Sequence, residues 1–360
     1  MRFFILIIFF SLQILAETIQ WSSTLPSKSQ FKVDPELKSR VQFWVRVYSE
    51  LSEKQGFLHD LHNPEIIYSK LDLKFIYDNP FLTYQQKKLR AEKFIKAEKL
   101  KIAKNKKISD LRMIRFQAGL KERTQKALFL SGRYLPMMEK IFKQKKLPIE
   151  LTRLVFVESS FNIRAQSKVG ASGLWQIMPN VASEEGYIHR YYDKRNHPFY
   201  ATRLAADILK TNYQSTKSWP LAVTSYNHGL FGVKKMTRLS QSKDIVDLIE
   251  SERKTRTWGF ASENFYACFL AVLEVERKAQ FIFPNQNVKA KPLAMNRFVT
   301  KKNISKKIAL KYFDNDYGIF LNYNPHLNMS AIKKINTIPA GVPLVLPKKI
   351  ASHYFKEPTL

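Results

Sequence analysis

Cysteine is almost absent: Cys268 is the single thiol in 360 residues. That excludes an internal disulfide, so the fold has to rest on its core alone. Cys268 falls in the apolar stretch Phe265–Val275, where a cysteine ordinarily serves as a small buried hydrophobe. Acidic residues are scarce too, 30 against 60 lysines and arginines, for a formal charge of +30. Such a balance first suggests nucleic acid, but zinc-finger spacings, an RNP-type motif and a helix-turn-helix pattern are all missing. The seven histidines form no HExxH or comparable cluster, and no glycine-rich loop is laid out to cradle a phosphate. Neither a metal nor a cofactor is therefore expected. Long apolar runs are limited to Phe3–Leu15, short of the ~20 residues a membrane-spanning helix needs. With Met1-Arg2 before it and Ala16 after it, the run has the pattern of a cleavable secretory signal, here residues 1–16. No cysteine lies near it for lipid attachment. The mature chain is expected in a periplasm or outside the cell, where an anionic envelope polymer or a membrane surface is the better electrostatic partner.

What is present divides the rest of the chain. Residues 17–33 are polar and read as a linker, the start of a region reaching to about residue 119. Asp34–Gln55 is predicted as a helix with Pro35 in its first turn, and Gly56–Ile76 as a hairpin turning at Asn63-Pro64. His59 and His62 within it have no carboxylate or cysteine partners nearby and read as packing or surface residues. Tyr84–Lys107 is a lysine-dense helix opposed only by Glu92 and Glu98, either a solvated face or a contact for an acidic polymer. A further helix over Leu120–Lys145 leads into the stretch that matters most.

That stretch is Leu147–Pro179. Pro148 suits a first helical turn, and Leu151, Leu154, Val155 and Glu158 then recur at i, i+3, i+4 and i+7. Glu158 thus ends an otherwise apolar stripe. A carboxyl in such surroundings resists ionisation, the preparation a general acid needs near neutral pH. The bland alternative is a helical glutamate leaning out to solvent.

The order Glu158-Ser159-Ser160-Phe161-Asn162, Ser167, then Gly170-Ala171-Ser172-Gly173-Leu174-Trp175-Gln176-Ile177-Met178-Pro179 resembles the lytic transglycosylase (SLT) domain of the lysozyme-like superfamily. Three later pieces follow in the family's order: the Asp193–Pro198 loop with the helix Ala201–Tyr213, the segment Ala222–Gly229, and the closing helix around Asn264-Phe265-Tyr266. The match spans about residues 135–280 within a catalytic region of 120–283. The resemblance implies a mainly α protein, with an α+β lysozyme-like catalytic domain and a small α/β N-terminal region. It also implies that Glu158 is the acid, with Ser167, Gln176, Tyr226 and Asn227 lining a saccharide cleft. Trp175 is open to two readings, stacking on a sugar or filling the core. Tyr266 is a further candidate, although a strict register with Asn264 places Phe265 where the family carries a tyrosine. Ser225 and His228 stand where the family usually carries alanine.

An ordinary glycosidase pairs two carboxylates across the bond. Glu184, Glu185 and Asp193 are the available partners, and none has a context like that of Glu158. The resemblance implies instead that one carboxyl suffices, the substrate's own C6 hydroxyl attacking C1 to leave a 1,6-anhydro-muramyl end on peptidoglycan glycan strands. A muramidase using water, and a non-catalytic wall-binding scaffold, are the alternatives. The C-terminal residues 292–350 carry Phe298-Val299-Thr300, a helix near Ser305–Phe313, Leu321-Asn322 before Asn324-Pro325, and Ile338–Pro347. They resemble a degenerate LysM-like, glycan-binding module.

Overall fold

The structure, a computed structural model, describes residues 18–293, 296–347 and 355–356. The expected signal segment, residues 1–16, lies outside them. The chain enters as strand β1 (Thr18–Gln20) and reaches Asp34, whose carboxylate accepts from the Glu36 N–H to start one 3-10 turn. Helix α1 (Lys38–Ser49) follows and stops short of Gln55, because a turn at Ser52–Gln55 feeds the chain directly into a strand.

That strand is β2 (Gln55–Asp60), which forms the expected hairpin with β3 (Ile67–Asp72). Helices α2 (Lys74–Tyr77) and α3 (Tyr84–Lys106) come next, then β4 (Ile114–Ala118), which completes an antiparallel sheet of order β3-β2-β4. Thr83 and Gln86 form a reciprocal capping box at the start of α3, and Lys107 closes it in the left-handed conformation. Leu58, Leu71, Ile76, Ala91 and Ile114 make a small core of their own beneath this unit.

The main body begins with α4 (Lys121–Gln144) and runs through a 3-10 segment, Ile149–Arg153, into α5 (Leu154–Ser159). Then come α6 (Pro179–Glu184), the tiny hairpin β5 (Ile188–His189) and β6 (Tyr192–Asp193), and the helices α7 (Pro198–Thr216) and α8 (Trp219–His228). The body closes with α9 (Leu230–Ser240), α10 (Ile245–Glu250), α11 (Phe260–Arg277) and α12 (Ala279–Ile282). Helix α11 is the axis: every residue from Ser262 to Leu273 is buried, with α1, α5 and α8 packed around it. A helix apolar on all sides can only sit in the middle of others.

The segment 17–33, read as a linker, and the stretch after α12 are both parts of this body. Strand β7 (Val288–Ala290) pairs antiparallel with β1. Trp21 and Phe31, between β1 and α1, are buried in the main core. Burial of those two rings outweighs the polar composition that made residues 17–33 look unattached. Strand β7 lies so close on α4 that a Cβ at Gly132 would stand 2.3 Å from the Ala290 carbonyl.

The last region contains β8 (Asn296–Thr300), β9 (Ile304–Ser305), α13 (Lys306–Lys311), α14 (Tyr317–Tyr323), α15 (Met329–Lys333), β10 (Thr337–Ile338), β11 (Pro343–Leu346) and β12 (Phe355–Lys356). Strand β8 sits between β11 and β12, and β10 pairs with β9, all antiparallel. A separate apolar core holds it together. It is fixed to the main body at β6: Asp193 N–H donates to the His326 carbonyl (2.7 Å), Asn328 N–H to that of Tyr191 (2.8 Å), and the His197 and His326 rings lie 4.6 Å apart. The molecule is mainly α, with small sheets at its periphery.

Candidate active site

Pro148 stands just outside the helical turn, in extended conformation, and the first turn after it is 3-10 rather than α. The periodicity survives this: Leu151, Leu154 and Val155 are fully buried. Glu158 follows at the end of α5, enclosed by protein yet retaining some solvent access. Loss of water raises its pKa from 4.5 to about 8, and no charge or hydrogen bond of the described residues offsets that. The carboxyl is therefore protonated at neutral pH.

The chain leaves α5 by two successive left-handed residues, Ser160 and Phe161, which turn it sharply away. Phe161 is buried against Phe156, edge to face, and this anchors the strained turn. The Ser159 hydroxyl donates to the Leu174 carbonyl (2.8 Å), tying the acid's helix to the loop that follows.

That loop is closed at several points. The Ser167 N–H donates to the Ala171 carbonyl (2.9 Å), and the Ser167 hydroxyl accepts in return from the Ala171 N–H (2.9 Å). Gly173 has a φ of +76°, and a Cβ there would lie 2.2 Å from the Arg195 carbonyl, so only glycine fits. Gln176, itself left-handed, donates through Nε2 to the carbonyls of Ala165 and Gly173. Its Nε2 is thereby committed and its Oε1 is the atom left to face a ligand. Arg195 locks the far side, donating to the carbonyls of Gly170 and Ile177 while pairing with Asp193.

Tyr226, near the end of α8, donates its hydroxyl to the Trp175 carbonyl (2.9 Å). Burial raises its pKa, and the nearby Glu158 carboxyl adds to the effect. Asn227, one place on, is exposed. Gly229 caps the end of the helix. The structure thus places Tyr226 near Glu158, while Ser167 and Gln176 belong to the loop that the Ser159–Leu174 bond ties to the acid's helix.

Two expected residues fall elsewhere. Trp175 is 0% exposed, stacked parallel to Phe142 with its Nε1 donating to Thr202 (2.9 Å). It has no face for a sugar and is a core residue. Tyr266 is buried on α11 against Phe269, with its hydroxyl in the field of Asp34 rather than Glu158. Glu184 and Glu185 are exposed, and Asp193 is engaged by Arg195 through both carboxylate oxygens. His59 is buried among Phe43 and Phe260, and His62 is on the surface; no cluster of metal-ligating side chains occurs among the described residues.

The family model described as the transglycosylase SLT domain matches residues 137–249. This chain contains an SLT domain. Residues of the chain are similar to membrane-bound lytic murein transglycosylase D of Escherichia coli (strain K12), at 32% identity over 103 residues, 28% of this chain and 23% of that protein. A putative tributyltin chloride resistance protein of Alteromonas sp. (strain M-1) is 34% identical over 89 residues, 24% of this chain and 43% of that one. The chain thus spans about a quarter of the length of the first relative and under half of the second. Among solved structures, the 70 kDa soluble lytic transglycosylase of E. coli aligns with a TM-score of 0.35 and 20% identity, covering 46% of this chain and 27% of that one. Its complex with bulgecin A gives 0.33 and 20%, covering 44% and 26%.

Parts of the site come from outside the SLT match. Tyr48 of α1 is buried beside the Cys268 thiol, and Glu158 contributes to raising its pKa, as it does for Tyr226. A tyrosine from the N-terminal region therefore shares the acid's surroundings. No motif marks Tyr48; only its place in the buried stripe Val41, Trp44, Tyr48 hinted that it faces inward.

A buried ion-pair triad was also missed. Arg153, at the end of the 3-10 turn leading into α5, donates to Glu276 of α11 through Nε (2.7 Å) and Nη2 (2.8 Å), and to Glu139 of α4 through Nη1. Thr24 completes it, taking a bond from Arg153 (2.7 Å) and donating to Glu139. Ser23 donates to Glu276 and Ser29 to Glu150, so the N-terminal segment is strapped across the acid's supports. An arginine inside an apolar run was the available signal, since a buried charge has to find partners.

Proposed function

We propose that the chain is a lytic transglycosylase that cleaves the glycan strands of peptidoglycan between MurNAc and GlcNAc, with Glu158 as the sole acid and base. The observation that carries this reading is a buried carboxyl, protonated up to about pH 8, with each alternative carboxylate exposed or already paired. The SLT match and the murein transglycosylase among the relatives support the substrate class.

In the first step Glu158 gives its proton to the glycosidic oxygen as the C1–O bond breaks, freeing the GlcNAc 4-hydroxyl. The carboxylate so formed then takes the proton of the MurNAc C6 hydroxyl, whose oxygen attacks C1 and closes the 1,6-anhydro ring. Glu158 ends protonated again and no water is consumed. Holding the nucleophile within the substrate replaces a second catalytic carboxylate by effective concentration. Gln176 Oε1, Ser167, Asn227 and Tyr226 are proposed to hold the sugars. In the same reading residues 120–283 form the catalytic unit, 17–119 the N-terminal region and 292–350 a LysM-like region, and the leader at 1–16 directs export to the wall.

Clearance of purified peptidoglycan tests this. Glu158→Gln should lower the rate by about 10²–10⁴-fold, while a Glu184→Gln/Glu185→Gln double variant and Asp193→Asn, if folded, should stay within roughly threefold. Full activity in Glu158→Gln would remove the proposal, and a collapse in the Glu184/Glu185 variant would point to hydrolysis with two carboxylates.

A further inference from the structure

Helix α3 lies outside the catalytic account. Its inner face, Ala91, Phe94, Ile95, Ile102 and Ala103, packs on the small core of the N-terminal sheet, with Phe94 edge-on to Phe75 at 5.3 Å. Its outer face is bare. Ten lysines and arginines lie between Tyr84 and Lys107 against two glutamates, the most basic stretch in a chain of net charge +30. Along the outer face Leu89, Lys93, Lys96, Leu100 and Lys104 follow one another at spacings of four, three, four and four, a single stripe about 22 Å long. All five are exposed, the leucines at 53% and 49%. Lys93, Lys96 and Lys104 make no ion pair among the described residues. At the N-terminal end of the helix Phe81 is 91% exposed and Tyr84 77% exposed.

A solvated helix face gains nothing from two bare leucines and a bare phenylalanine. A purely electrostatic contact with a soluble polyanion would use the lysines alone. A surface presenting anionic headgroups above acyl chains uses both: the ammonium groups meet the phosphates, and the leucines and the Phe81 ring sit at the boundary. We propose that this face of α3, with Phe81 just before the helix, docks the protein on an anionic phospholipid surface. The N-terminal sheet then acts as the mount, joined to the main body through the packing of α1 on α11 and α4.

Sedimentation of the full chain with phosphatidylglycerol-containing vesicles, and with phosphatidylcholine vesicles alone, tests this. Binding should require the anionic lipid and fall steeply with added salt. The Lys93→Glu/Lys96→Glu/Lys104→Glu variant should bind about 100-fold more weakly or worse. Phe81→Ser/Leu89→Ser/Leu100→Ser should also lose affinity, by roughly tenfold or more. Both variants should keep wild-type circular dichroism and thermal unfolding, because every changed side chain is exposed. Three results would overturn the proposal. One is binding to neutral vesicles that neither variant affects, which assigns any attachment to the apolar run Phe3–Leu15. Another is anionic binding indifferent to the lysine reversal. The third is retention by a soluble polyanion such as polyglutamate with loss of only the lysine dependence, the apolar variant binding vesicles as well as wild type.

Discussion

At the scale of single residues, burial sets the behaviour of Glu158. The folded protein holds its proton up to about pH 8, whereas an unfolded chain releases it near 4.5. Between those values the folded state binds more protons, so this group weakens the fold progressively as pH climbs through the window. Glu158→Gln removes that penalty. It should match wild type in thermal unfolding below pH 4.5 and exceed it above pH 8, by up to roughly 3–5 kcal/mol. Equal stability of the two at alkaline pH would mean that the carboxyl is solvated. The catalytic rate should fall as pH rises through the same value, since the first step needs the acid form. The two tyrosines separate in the same way. Tyr226→Phe strips the Trp175 carbonyl of its partner beside the acid and should lower turnover about 10-fold or more, while Tyr266→Phe, near Asp34, should leave turnover within roughly twofold. Steady-state kinetics on peptidoglycan fragments distinguishes them, and the reverse order would restore Tyr266 to the site.

At the scale of elements, the acid is held by its neighbours rather than by its own helix. Helix α5 has only six residues, too few to be stable alone. The Arg153 triad clamps the turn before it to α4 and α11, and the Ser159 bond clamps its end to the loop. Arg153→Met leaves Glu139 and Glu276 buried without their partner and should cost about 3–5 kcal/mol in denaturant unfolding; an unchanged midpoint would show that the pair is dispensable. Much of this level was legible. The helices read over Tyr84–Lys107 and Leu120–Lys145 form within a residue of those bounds, because long-stemmed and periodic residues favour them. Strand β4 was not, because Ile114–Ala118 alternates over too few residues and is defined by pairing with β2, a partner distant in sequence. The 3-10 turn at Ile149–Arg153 was also hidden, since its apolar spacing is the same as that of a helix.

At the scale of the molecule, a local sequence pattern says little about which segments lie on others. Residues 17–33 and 284–291 look polar and loose, yet Trp21, Phe31 and the β1–β7 pair bind them to the body around α4 and α11. Trp175 was ambiguous for the same reason: a tryptophan suits a core or a sugar equally well, and only the stacked Phe142 decides it. The identity of Glu158 was legible because its motif is contiguous. Tyr48 was not, because it arrives from over a hundred residues away. What one enclosed carboxyl does to the sugar separates transglycosylation from hydrolysis. The direct measurement is mass spectrometry of the sugars released from purified peptidoglycan by the full chain in ¹⁸O-water, with Glu158→Gln as control. Anhydro-muramyl ends free of the label, lost in the variant, are the predicted result; labelled reducing ends would contradict it.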